Sequence, residues 1–108
     1  MTKKSRILQS VKNQLQLAFK NRITKVILFG SQAKNKEKKD SDYDILIITA
    51  DTFTWQERDD IRDICYEISL DNDILIDSKI ISQTDIDNSI WGKHPLITDA
   101  INYGIIAV

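Results

Sequence analysis

An α/β (α+β) domain with a small mixed β-sheet is the fold that this sequence predicts. Three observations lead there. Stretches with apolar residues at helical spacing alternate with dense β-branched runs, in the order helix–strand–strand–helix–strand–helix. The first β-branched run stops at Gly30-Ser31, and the second opens on Ser41-Asp42-Tyr43-Asp44 after a charged loop. The chain has 108 residues with three glycines and one proline, which suits a single domain over residues 1–108 without flexible linkers.

Taken from the N-terminus, Ile7, Leu8, Val11, Leu15, Ala18 and Phe19 place one apolar stripe on a helix over residues 5–20. Asn21-Arg22 end it, and Ile23 to Phe29 form a buried strand that Gly30 stops. Residues 31–41 read as a loop carrying Lys34, Lys36, Lys38 and Lys39 against Glu37 and Asp40. Those lysines either face solvent or, in part, meet a phosphate. Tyr43 to Thr49 is the second strand. Thr54-Trp-Gln-Glu57 has the form of a capping box, and the helix it opens, Trp55 to Ser69, points Ile61, Ile64, Cys65 and Ile68 inward. Leu70-Asp-Asn-Asp73 reads as a turn and Ile74 to Ile81 as the third strand. Ser82 caps a short helix, Pro95 opens another and Gly104 closes it. Ile105 to Val108 either adds a strand or docks on a partner.

Composition narrows the function classes. The formal charge is −1, so no global field recruits nucleic acid or an anionic membrane. No apolar run approaches the roughly 18 residues that span a bilayer, and Met1-Thr-Lys-Lys-Ser5 lacks a signal-peptide core. The single cysteine, Cys65, excludes an internal disulfide and fits a reducing cytoplasm. It falls inside a helical stripe and reads as a core residue. His94 reads as structural, and Trp55 and Trp91 as packing or contact residues.

The chemistry concentrates around the first loop. Residues i and i+2 of a strand share a face, so Asp42 and Asp44 project together while Tyr43 points away. Two carboxylates this close repel, and a divalent cation relieves the conflict. Oxygen ligands beside a phosphate substrate favour Mg²⁺, with room for two ions. Asp73, on the third strand, is the expected third carboxylate, with Asp77 held in reserve because it lies roughly 13 Å further along an extended chain. Gly30 lets backbone approach a ligand, and the amides that follow it, with the Ser31 hydroxyl, can donate to phosphate oxygens. A phosphate cradle facing a metal site points to nucleotidyl transfer. For these carboxylates to converge, the second and third strands must be parallel and the first antiparallel to the second.

Phe29-Gly-Ser-Gln-Ala-Lys34 followed by Ser41-Asp-Tyr-Asp-Ile-Leu-Ile47 resembles the signature of the minimal nucleotidyltransferases in the DNA polymerase beta superfamily. The likeness extends from about Ile23 to the end, and the run Cys65 to Ile76 resembles the family's third-strand region. Lys34 stands where the pattern has arginine, and Asn35 where it has glycine. Lysine keeps the charge but loses the bidentate fork.

The resemblance implies a nucleotidyltransferase fold and transfer of AMP from ATP to an acceptor hydroxyl, with release of pyrophosphate. Asp42, Asp44 and Asp73 would hold Mg²⁺, and Gly30, Ser31 and Lys34 would hold the triphosphate. It also implies a helical HEPN protein as partner, with this chain as the antitoxin half, and the low positive charge argues against direct contact with nucleic acid. A catalytically weak module that binds nucleotide or partner is the competing reading. A small-molecule acceptor is a third, and the oligomeric state stays open.

Overall fold

The computed structural model describes residues 2–34 and 42–108. Its first helix, α1 (Lys3–Phe19), begins at Thr2, whose Oγ1 accepts from the Ser5 amide at 3.1 Å. A short 3₁₀ turn at Lys20–Arg22 leads into β1 (Ile23–Phe29), which passes directly into the one-turn helix α2 (Gly30–Ala33). Then come β2 (Tyr43–Thr49), α3 (Trp55–Asn72), β3 (Ile76–Ser82), α4 (Gln83–Asn88), a 3₁₀ turn at Ile90–Lys93, α5 (Pro95–Tyr103) and β4 (Ile105–Ile106).

The sheet is mixed, with order β3-β2-β1-β4. β1 runs antiparallel to β2 and to β4, and β2 runs parallel to β3. That is the expected orientation of all three long strands. The C-terminal segment takes the strand alternative, with Ile27 opposite Ile106 and Leu28 opposite Ile105.

Alternation along each strand divides the core in two. Val26, Leu28, Ile45 and Ile47 pack against Ile7, Val11 and Leu15 of α1 and Ile61, Cys65 and Ile68 of α3. Ile27, Phe29, Leu46, Ile48 and Ile81 pack on the opposite face with Ile97 and Ala100 of α5. Burial pushes the Cys65 thiol up to about 11, as suits an inert core residue.

The capping box at Thr54 and Glu57 forms as read from sequence. Arg22 locks this corner from the start of β1. Its guanidinium bonds both Glu57 oxygens, reaches Asp51 Oδ1 at 3.1 Å and lies 4.2 Å over the Phe53 ring.

Two boundaries differ from expectation. The segment after Gly30 is helical before it becomes a loop, and four residues are too few to show a period. More consequentially, α3 continues through Asp71 and Asn72, so β3 begins at Ile76 rather than Ile74. Asn72 Nδ2 donates to the Ile68 carbonyl at 2.8 Å, holding the last turn. Asp73 then closes the helix in the left-handed conformation (φ 51°), while the Ile74 amide reaches the Ser69 carbonyl at 3.1 Å. This is a Schellman closure, built here without glycine.

Candidate active site

The β1–β2 and β2–β3 registers bring the site together. Phe29 lies opposite Asp44, and Asp44 opposite Asp77. All three strands therefore end or begin at one edge of the α5 face, and Asp44 and Asp77 project there half-exposed. Asp42, just before β2, is exposed. Burial, then the charges of Asp77 and Asp42, push the Asp44 carboxyl above its ordinary range, with Lys79 opposing. Lys79 Nζ lies 3.5 Å from Asp77 Oδ1.

Asp73 does not join this group. The extra turn of α3 leaves it on the helix terminus, ahead of β3, and the position across from Asp44 belongs to Asp77. The assumption that both acids lie on one extended strand fails, because Asp73 is in a helix cap. The missed signal is the Asp77-Ser-Lys79 alternation leading to Ile81, which puts a charged pair at the open end of one strand face.

Gly30 sits against Asp44 from the other side. Its φ is +75°, and a Cβ there would lie 3.2 Å from Asp44 Cγ and closer still to Oδ2. Glycine is therefore required twice, by backbone conformation and by the carboxylate next door. Ser31 follows in α2, and Gln32 is buried behind it, its carbonyl accepting from Lys4 Nζ at 2.9 Å. Lys34, the expected phosphate contact, pairs with Asp99 of α5 at 3.2 Å, a long-range partner that local pattern could not reveal. Lys36, Lys38, Lys39, Asn35 and Ser41 lie outside the described residues.

Beside the carboxylates, a pocket of about 390 Å³ opens between β3 and the segment leading into α5, with Leu46, Lys79, Trp91 and Leu96 in its wall. Trp91 is 60% exposed and Trp55 73%, so neither is a packing residue. His94 has its expected structural role, with Nδ1 accepting from the Leu96 amide at 3.1 Å.

Chemically, a carboxylate whose ionisation is opposed by burial and by two neighbouring acids suits a hard, oxygen-ligated divalent ion. Among the described residues no three acidic, histidine or cysteine side chains converge into a finished cage. An ion here would complete its shell from phosphate and water, the habit of Mg²⁺ in phosphoryl-transfer sites. No described helix is long and apolar enough to cross a membrane.

Residues 11–101 match the family model described as polymerase beta, nucleotidyltransferase. The Methanocaldococcus jannaschii protein MJ0141, provisionally named a protein adenylyltransferase, is 34% identical over 92% of this chain and 93% of its own length. Among solved structures, a toxin–antitoxin crystal structure with AMP-PNP superposes with a TM-score of 0.62 at 17% identity, covering 93% of this chain and 72% of the other. The toxin–antitoxin MntA-HepT gives 0.55 at 16% identity, over 95% and 71%. At such identities these two establish a shared fold.

Proposed function

The chain belongs to the polymerase beta nucleotidyltransferase family, and from that premise we propose that it transfers AMP from ATP to a hydroxyl on a partner protein. The partner is a helical HEPN-type protein, and this chain is the antitoxin half of the pair. The protein-modifying name of the archaeal relative and the toxin–antitoxin setting of the structural neighbours support that choice. One observation carries it: Asp44 is flanked by the close backbone of Gly30 on one side and by Asp77 on the other.

Gly30 and Ser31 hold the triphosphate by backbone amides and a hydroxyl, with Lys34 exchanging its Asp99 partner for a phosphate oxygen. Asp42, Asp44 and Asp77 would hold Mg²⁺, with Asp77 taking the place first expected of Asp73. When bound, the metal supplies charge neutralisation on the phosphates and eases ionisation of the acceptor hydroxyl. Asp77, steadied by Lys79, receives the acceptor's proton. The acceptor oxygen bonds to the α-phosphorus, the α-phosphorus–oxygen bond toward the β-phosphate breaks, and pyrophosphate leaves on the Gly30 side.

Intact-mass measurement tests the proposal. The chain, Mg²⁺, ATP and the helical partner are incubated together, and the partner should gain one AMP. A stable complex with no gain in mass would select the binding-module reading instead.

A further inference from the structure

The reaction proposed above needs an acceptor to arrive opposite the leaving pyrophosphate, and that flank of the site is the edge of the sheet. Among the described residues β3 is the terminal strand, and it pairs with β2 in unbroken register from Tyr43↔Ile76 to Thr49↔Ser82. A regular edge of this length, with no bulge to turn it away, is a template for another strand.

The backbone polarity of this edge can be assigned. The Tyr43 amide donates to the Leu75 carbonyl at 2.9 Å, so Leu75, Asp77, Lys79 and Ile81 turn their peptide groups toward β2. Ile76, Ser78 and Ile80 turn theirs outward. Ser69 Oγ accepts from the Ile76 amide at 3.2 Å, which leaves Ser78 and Ile80 to present donors on the open edge.

Two depressions border β3, one toward α3 and one toward the segment leading into α5. The first, about 430 Å³, has Tyr66, Leu75, Asp77 and Ser78 in its wall. The second, about 390 Å³, has Lys79, Ile80, Trp91 and Leu96. Exposed apolar groups flank both, with Tyr66 at 62%, Leu75 at 58% and Trp91 at 60%. Asp77, the site carboxylate, lines the first, and its ion-pair partner Lys79 lines the second.

We infer that the acceptor docks as an extended polypeptide segment added to the free edge of β3, which carries its hydroxyl residue past Asp77. This rests on the transfer reading above for its chemistry. Unpaired backbone donors and acceptors at strand spacing select an extended chain over any other occupant, and the flanking apolar groups receive its side chains. A strand added at ~4.8 Å places one side chain directly beside Asp77 on the active face. The hydroxyl there loses its proton to Asp77 as its oxygen bonds to the α-phosphorus and pyrophosphate departs.

The test uses the full chain, nitrogen-15 labelled, and a synthetic peptide of alternating valine and threonine. Two control peptides carry N-methyl groups on one or the other alternate set of amides. Addition of the parent peptide should slow hydrogen exchange at the Ser78 and Ile80 amides about tenfold or more. One methylated control should bind like the parent, and the other should not bind. With Mg²⁺ and ATP labelled on the α-phosphate, the parent peptide should take label on threonine. Protected amides without label would uphold the docking edge and overturn the transfer reading. Label without protection would uphold transfer and overturn the edge. Neither signal overturns the edge as well. Protection that needs no peptide and grows with protein concentration would give the edge to a second copy, and also overturns the assignment.

Discussion

Asp44 and Asp77 stand directly across from each other on the parallel strands β2 and β3, and the charge of Asp77 helps push the Asp44 carboxyl above its ordinary range. Neighbouring carboxylates are costly in a stable fold and useful where a cation must be held.

The first prediction separates the two candidates for the third acid. Asp77→Asn should lower kcat/KM for adenylyl transfer by about 10²–10³-fold, the scale of losing one group that acts on the transition state. Asp73→Asn should leave it within about threefold, since its residue caps a helix. Steady-state kinetics on both variants decides, and the reverse order would move the site to the helix terminus.

Asp73 offers a second prediction, on stability. Held at φ 51°, it pays a steric cost that glycine avoids. Asp73→Gly should stabilise the fold by about 0.5 kcal/mol and raise Tm by roughly 2–4 °C. A fall in Tm would mean the aspartate side chain holds the cap.

Gly30→Ala carries a double penalty, from its φ of +75° and from overlap with the Asp44 carboxylate. Destabilisation of about 1–2 kcal/mol by denaturant titration is expected. Transfer should fall by about 10²-fold, because the carboxylate must shift to make room.

Acid should loosen the Arg22 corner. Hydrogen bonds from Arg22, then from the Thr54 backbone, hold the Glu57 carboxyl down at about 2, against an ordinary 4.5. A folded value below the unfolded one gives stability that is complete above about pH 4.5 and is lost as pH falls toward 2. Tm followed across this window should drop in the native chain and drop less steeply in Glu57→Gln.

These outcomes also mark what the sequence makes legible. The stripe of α1, the β-branched runs of β1 and β2, and the capping box at Thr54 are local signals, and each forms as read. The end of α3 is not local. Asp71 and Asn72 have turn-like chemistry, yet the Asn72 side chain and the left-handed Asp73 extend the helix past them. The longer helix left the sheet topology intact, and the register that results sets Asp77, not Asp73, opposite Asp44. Lys34 shows the same limit, because its partner Asp99 lies on a helix more than sixty residues away. Strand register and distant ion pairs are set by tertiary packing, which a spacing pattern does not encode.

The most direct measurement is a pair of incubations with Mg²⁺ and the helical partner, one with ATP labelled at the α-phosphate and one at the γ-phosphate. The account predicts label on the partner from the α-position alone, with labelled pyrophosphate released from the γ-position, and both signals lost in Asp44→Asn. Label on the partner from the γ-position, or α-label undiminished in Asp44→Asn, would contradict it.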